Sequence, residues 1–148
     1  MMDMDEQTVK DMTNEQFIEF IASLARDVYH EYGGVLPSIT IAQACLESGY
    51  GNSFEATSHN VYGLMGYPDE KPKVHSLKKF DNFYEATYYH YAYFQAFSGV
   101  YNNFLKKCAS GDAYGAASYL SAYANGEASY PGKIKDIMQQ YNLTKYDN

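Results

Sequence analysis

Residues 36–51, LPSITIAQACLESGYG, constrain the fold more than any other stretch of the chain. Pro37 suits the first helical position, where its missing N–H is not needed, and Gly49 suits the residue just past a helix end. Between them, positions 39, 41, 42, 44, 45 and 46 are all apolar, which is more than a surface helix with one buried stripe requires. Other elements must enclose such a helix, so the domain is expected to be built around it. The polar exceptions Thr40, Gln43 and Glu47 are three and then four residues apart and share one face. That strip is expected to be the opening to solvent or ligand.

The rest of the chain reads as helices that can form the enclosure. In TNEQFIEFIASLARDVYHEYGG, Phe17, Ile21, Leu24 and Val28 recur at helical spacing, Thr13 and Gln16 form a capping box, and Gly33 is a stop. Further helices are expected in DNFYEATYYHYAYFQAF, VYNNFLKKCAS, DAYGAASYLSAY and YPGKIKDIMQQYNL, the last with Ile134, Ile137, Met138 and Tyr141 on one face. GNSFEATSHNVYGLMG is rich in turns, with room for one short helix near Asn52. YPDEKPKVHSLKKF permits one small hairpin, within residues 67–79. The fold class is therefore mainly α. Residues 1–12 read as a disordered acidic lead and residues 13–148 as one domain, a normal length for a single core.

With 46% apolar and 20% charged residues, the chain can bury a core. A net charge of -7 and the lack of a basic stripe argue against nucleic acid as a partner. No stretch approaches transmembrane length, so membrane insertion is not expected, and no export signal opens the chain. The two cysteines, Cys45 and Cys108, read as buried free thiols. The four histidines show no pair at metal-binding helical spacing, so no metal or other cofactor is expected. The 17 tyrosines and 8 phenylalanines, with no tryptophan, suit partly wet walls such as a sugar-binding cleft.

Capping positions account for several carboxylates. Glu85 follows Asn82 by three residues, Glu55 follows Asn52 in the same way, and Asp112 fits an N-cap. Glu15, Glu19 and Asp27 lie on the polar side of the first helix and the N-terminal acids belong to the lead, and the candidates carried forward are Glu47, Asp69, Glu70 and Glu127. Glu47 sits near a helix C-terminus, where the macrodipole opposes its charge, and among apolar neighbours that disfavour ionisation. Both effects raise its pKa, as a general acid acting on a glycosidic oxygen requires.

Residues 37–53, PSITIAQACLESGYGNS, resemble the catalytic-helix motif of the bacterial cell-wall glucosaminidases, glycoside hydrolase family 73. These are lysozyme-like peptidoglycan hydrolases of autolysins, flagellar-rod hydrolases and phage lysins. HNVYGLMG (59–66) resembles the family's Asn-aromatic-Gly segment, FDNF (80–83) its aromatic pair before a helix, and SAYANGEASYPGKIKDIMQQYNL (121–143) its closing segment. The resemblance covers most of residues 15–143. It implies a lysozyme-like α+β fold with a very short β lobe and an endo-acting enzyme cleaving after N-acetylglucosamine in peptidoglycan, with Glu47 as general acid. It places Tyr123 near the scissile bond and Gln43, Tyr50, Ser53, Asn60, Tyr62, Gly63 and Tyr130 along the substrate. Tyr50 stands where relatives often carry Trp, and Met65 where they often carry Lys. The β lobe that supplies a second acid in relatives is reduced here to residues 67–79. Asp69 or Glu70 fills that role or is ordinary turn chemistry, and Glu127 is a weaker candidate.

Other readings remain open at this stage. A muramidase or lytic transglycosylase is the nearest alternative. A cysteine peptidase would pair Cys45 with His59, His75 or His90, and a non-catalytic wall-binding module would keep the fold alone. The expected partner is the peptidoglycan glycan strand, met by a monomer at the bacterial wall. The chain would arrive there as a phage-encoded lysin or as a domain of a larger secreted protein.

Overall fold

A computed structural model describes residues 4–66 and 77–148. Its elements are α1 (Glu6–Lys10), α2 (Asn14–Tyr32), α3 (Pro37–Ser48), α4 (Phe83–Ala96), α5 (Asn102–Ala109), α6 (Ala113–Ala117) and α7 (Tyr130–Gln140). Two 3-10 turns, Ser121–Ala124 and Leu143–Asp147, flank α7. The mainly α fold class is borne out. Among the described residues the β structure is one antiparallel bridge, Met65 to Leu77, extended by Lys78 N–H donating to the Leu64 carbonyl at 2.9 Å.

α3 is the enclosed central helix that its composition demanded. It packs against α2, α6, α7 and the closing 3-10 turn, and Ile39, Ile41, Ala42, Ala44 and Cys45 are fully buried. Its N-cap residue Leu36 has no side-chain oxygen to offer. Asp147, 109 residues away, supplies the cap by accepting from Ser38 N–H and Ser38 Oγ, both at 2.7 Å. At the other end Gly49 takes the left-handed conformation (φ 56°), and both Gly49 and Tyr50 N–H groups close on the Cys45 carbonyl. Gly51 must lack a side chain, because a Cβ there would stand 2.5 Å from the Phe17 ring.

The capping box of Thr13 with Gln16 and the Gly33 stop are present on α2. Asn82 caps α4 and Asp112 caps α6, as their positions implied. Three expectations differ. The acidic lead is ordered from Asp5 onward: Asp5 caps α1, Val9 is fully buried, and Glu6 accepts from Thr57 N–H (2.7 Å) and His59 N–H (3.1 Å). Local composition could not reveal these partners more than 50 residues away. No helix begins near Asn52, whose side chain instead donates to the Gly49 carbonyl at 3.1 Å. DAYGAASYLSAY is not one helix, since α6 ends at Ala117 and buried Leu120 precedes a separate 3-10 turn.

Both cysteines are free and buried, as expected. Burial pushes each thiol up to about 12, far from the thiolate that a peptidase nucleophile needs.

Candidate active site

α3 delivers Glu47 to its last turn, the one exposed member of the polar strip. The strip does not open along its length: Thr40 and Gln43 are buried. Both polar atoms of the Gln43 amide have a partner, Oε1 with His90 Nε2 at 2.7 Å and Nε2 with Tyr130 Oη at 3.1 Å. Tyr130, at the start of α7 and buried, donates its hydroxyl to Glu47 Oε2 at 2.9 Å. The protein packed around the Glu47 carboxyl raises its pKa above the usual range, and the Tyr130 hydrogen bond partly opposes the rise.

The second wall is the loop of residues 58–64, organised by Asn60. Its Nδ2 donates to the Leu64 carbonyl (2.8 Å) and the Lys78 carbonyl (2.9 Å), and its Oδ1 accepts from Tyr62 N–H and Leu64 N–H. That folding presents Gly63, with φ 65°, to Glu47. A Cβ at residue 63 would stand 2.6 Å from Glu47 Oε1, so only glycine leaves that oxygen clear. Asn60 and Tyr62 are themselves buried and shape this wall from behind. Tyr62 Oη bonds Thr87 Oγ1 at 2.6 Å, and its ring lies 4.7 Å from that of His90.

Tyr123, from the 3-10 turn, is half-buried. Its hydroxyl donates to the Tyr62 carbonyl, and its ring stacks on Tyr130 with centroids 5.9 Å apart. Burial, followed by the nearby Tyr130 and Glu47, lifts its pKa well above the ordinary phenol value, so it stays protonated. The structure therefore brings Gln43, Glu47, Tyr62, Gly63, Tyr123 and Tyr130 together. Tyr50 instead turns its half-buried ring to Tyr141 (5.7 Å), and Ser53 is exposed on the turn after α3, its N–H donating to the Ser48 carbonyl. Glu127 is exposed and pairs with Lys133 at 3.3 Å. Asp69 and Glu70 lie outside the described residues.

In the sequence His90 entered only as a possible partner of Cys45 in a peptidase, not as part of a glycosidase site. It is fully buried, and burial lowers its pKa to about 3, which keeps the imidazole neutral. The available signal was its spacing on α4: Phe83, Ala86, Thr87, His90 and Phe94 fall on one buried face. Among the described residues, no cluster of three or more His, Cys, Asp or Glu is placed to hold a metal ion. No helix among them is long and apolar enough to cross a membrane.

The exo-glucosaminidase LytG of Bacillus subtilis is 33% identical over 98% of this chain, which covers 55% of that relative. A probable N-acetylmuramidase of Lactococcus lactis subsp. cremoris is 31% identical over 91% of this chain, which covers 35% of it. The chain thus spans about half or less of the curated relatives it matches. Among solved structures, the catalytic domain of the autolysin Auto from Listeria monocytogenes shares the fold with TM-score 0.66 and 24% identity, over 90% of this chain and 87% of that one. An N-acetylmuramoyl-L-alanine amidase structure from Staphylococcus aureus does so with TM-score 0.75 and 22% identity, over 91% of this chain and 44% of that one. The family model described as mannosyl-glycoprotein endo-beta-N-acetylglucosaminidase matches residues 22–143, and with it the chain belongs to the glucosaminidase family of glycoside hydrolases.

Proposed function

We propose that this chain hydrolyses the β-1,4 bond that follows N-acetylglucosamine in bacterial peptidoglycan, with Glu47 as the general acid. The seat of Glu47 carries this reading. It is a carboxyl at the end of an enclosed helix, with one oxygen held by Tyr130 and the other facing the space that Gly63 leaves empty. A raised pKa keeps more of the acid protonated at a given pH. The proton passes to the leaving glycosidic oxygen as the bond to the anomeric carbon breaks and positive charge develops on that carbon.

The attacking group is the finer question. Tyr123 stays a phenol and donates to a carbonyl, so it is no base. With only the short sequence 67–79 available to supply a second acid, the substrate's own N-acetyl oxygen is the proposed nucleophile, giving retention after water opens the intermediate. NMR of the first-formed product tests this. An inverted anomer would assign activation of water to a carboxylate of residues 67–79 instead.

Digestion of purified peptidoglycan by wild type and Glu47→Gln, with reducing ends read by mass spectrometry, tests the function itself. The expected ends are N-acetylglucosamine, with Glu47→Gln slower by about 100-fold or more. A fully active Glu47→Gln enzyme would sink the assignment of the acid. N-acetylmuramic acid ends would favour the second reading, a muramidase, which the names of the Lactococcus relatives support. Anhydro ends would mark a transglycosylase, and no release would leave a wall-binding module.

A further inference from the structure

Behind Glu47 runs an unbroken chain of hydrogen bonds from α4 through α3 to α7: His90 Nε2 to Gln43 Oε1, Gln43 Nε2 to Tyr130 Oη, Tyr130 Oη to Glu47 Oε2. Proton counting restricts its polarity. An ionised carboxylate only accepts, so Tyr130 must give it its single hydroxyl proton. The phenol oxygen must then accept from Gln43, whose remaining oxygen must accept from an N–H on His90 Nε2. His90 Nδ1 is then the unprotonated ring nitrogen, consistent with its having no partner among the described residues. The opposite polarity would leave an N–H donor at Nδ1 with no partner in a fully buried aromatic site, facing Tyr62, Phe94 and Tyr123.

We propose that His90 is a positioning residue. Through Gln43 and Tyr130 it keeps Glu47 Oε2 an acceptor, and so places the acid's proton on Oε1, the oxygen beside Gly63. The proposal rests on Glu47 being the general acid. A Cβ at residue 63 would crowd Oε1 at 2.6 Å, so the glycine leaves open the side from which a glycosidic oxygen must approach. If Gln43 could rotate, Tyr130 would donate to Gln43 Oε1 and the acid proton would settle on Oε2, turned away from the substrate. His90 resists the rotation because a rotated Gln43 would turn an N–H toward Nε2 and drive the ring proton to Nδ1, which is buried among aromatic rings with no partner among the described residues. The titratable groups that face this chain are Tyr130 and Tyr123 toward Glu47, and Tyr62 and Tyr123 toward His90.

Two measurements test it. In the wild-type protein, imidazole 15N shifts should show His90 neutral with the proton on Nε2 from about pH 5 to 8; a proton on Nδ1 overturns the proposal whatever the variants do. The second measurement is kinetic. His90→Phe keeps an aromatic ring but offers no donor. It should lower kcat about tenfold with KM little changed, and move the alkaline limb of the pH profile up by roughly half a unit, because ionised Glu47 loses part of its hydrogen bond. Tyr130→Phe should move the limb the same way, and the double variant no further than Tyr130→Phe alone. A wild-type profile in folded His90→Phe, or additive shifts, would overturn the relay while leaving Glu47 as the acid. An active Glu47→Gln enzyme would overturn the reading beneath it.

Discussion

At the scale of single residues, the site depends on a side chain that is absent. Gly63 combines a left-handed backbone with a position facing Glu47 that has no room for a Cβ, and Gly63→Ala violates both conditions. The backbone strain costs about 1 to 2 kcal/mol of stability. The new methyl, aimed at Oε1, displaces the carboxyl, so kcat should fall at least about 100-fold while the protein still melts cooperatively. Thermal melting beside the kinetic assay separates the two effects; an active Gly63→Ala enzyme would mean that Oε1 is not the working oxygen. Glu47 was legible in the sequence because a lone carboxyl in so apolar a helix is costly without a purpose. Gln43 was read as a substrate contact because its polar strip is visible, whereas its partners are not. His90 and Tyr130 lie 47 and 87 residues from Gln43, and only the fold brings them to it.

At the scale of elements, α3 carries Glu47 and is capped from the far end of the chain. Asp147 replaces the missing local cap, and burial raises its pKa although the two Ser38 bonds work against the rise. Asp147→Ala should cost about 1 to 2 kcal/mol. Asp147→Asn keeps one acceptor and has no charge to desolvate, so it should cost less. A carboxyl whose folded pKa lies above its unfolded value contributes stability that is present at low pH and lost as pH rises through the folded value. The gap between wild type and Asp147→Asn should therefore narrow from about pH 4 to pH 7. Urea titrations at both pH values check this, and a gap that widens with pH would show that the charged cap is favoured. Helices with local signals, such as the Thr13 box, Pro37 and Gly49, were legible to within a residue or two. α1 was not, because Val9 is buried against Phe17 and the turn at Gly51, a contact that an acidic local composition conceals.

At the scale of the whole molecule, the enclosure of α3 was legible in its composition, while the choice of neighbours rested on contacts that no single stretch encodes. Charge belongs to this scale as well. On the proposed function, a protein with a net charge of -7 and a pI near 4.9 would meet a wall whose accessory polymers are themselves anionic, and long-range attraction would not hold it there. On that reading binding comes from short-range contacts between the glycan and the cleft, which salt screens weakly, while the mutual repulsion is screened strongly beyond a Debye length of about 10 Å at 0.1 M. Co-sedimentation with purified walls should therefore show affinity that is flat or modestly rising between about 50 and 500 mM NaCl. Removing the anionic polymers should raise affinity at the low-salt end and leave the high-salt end unchanged. A fall of about tenfold or more across that range would mean that a local basic patch governs attachment, and that the acidic net charge misleads about how the protein would reach a wall substrate.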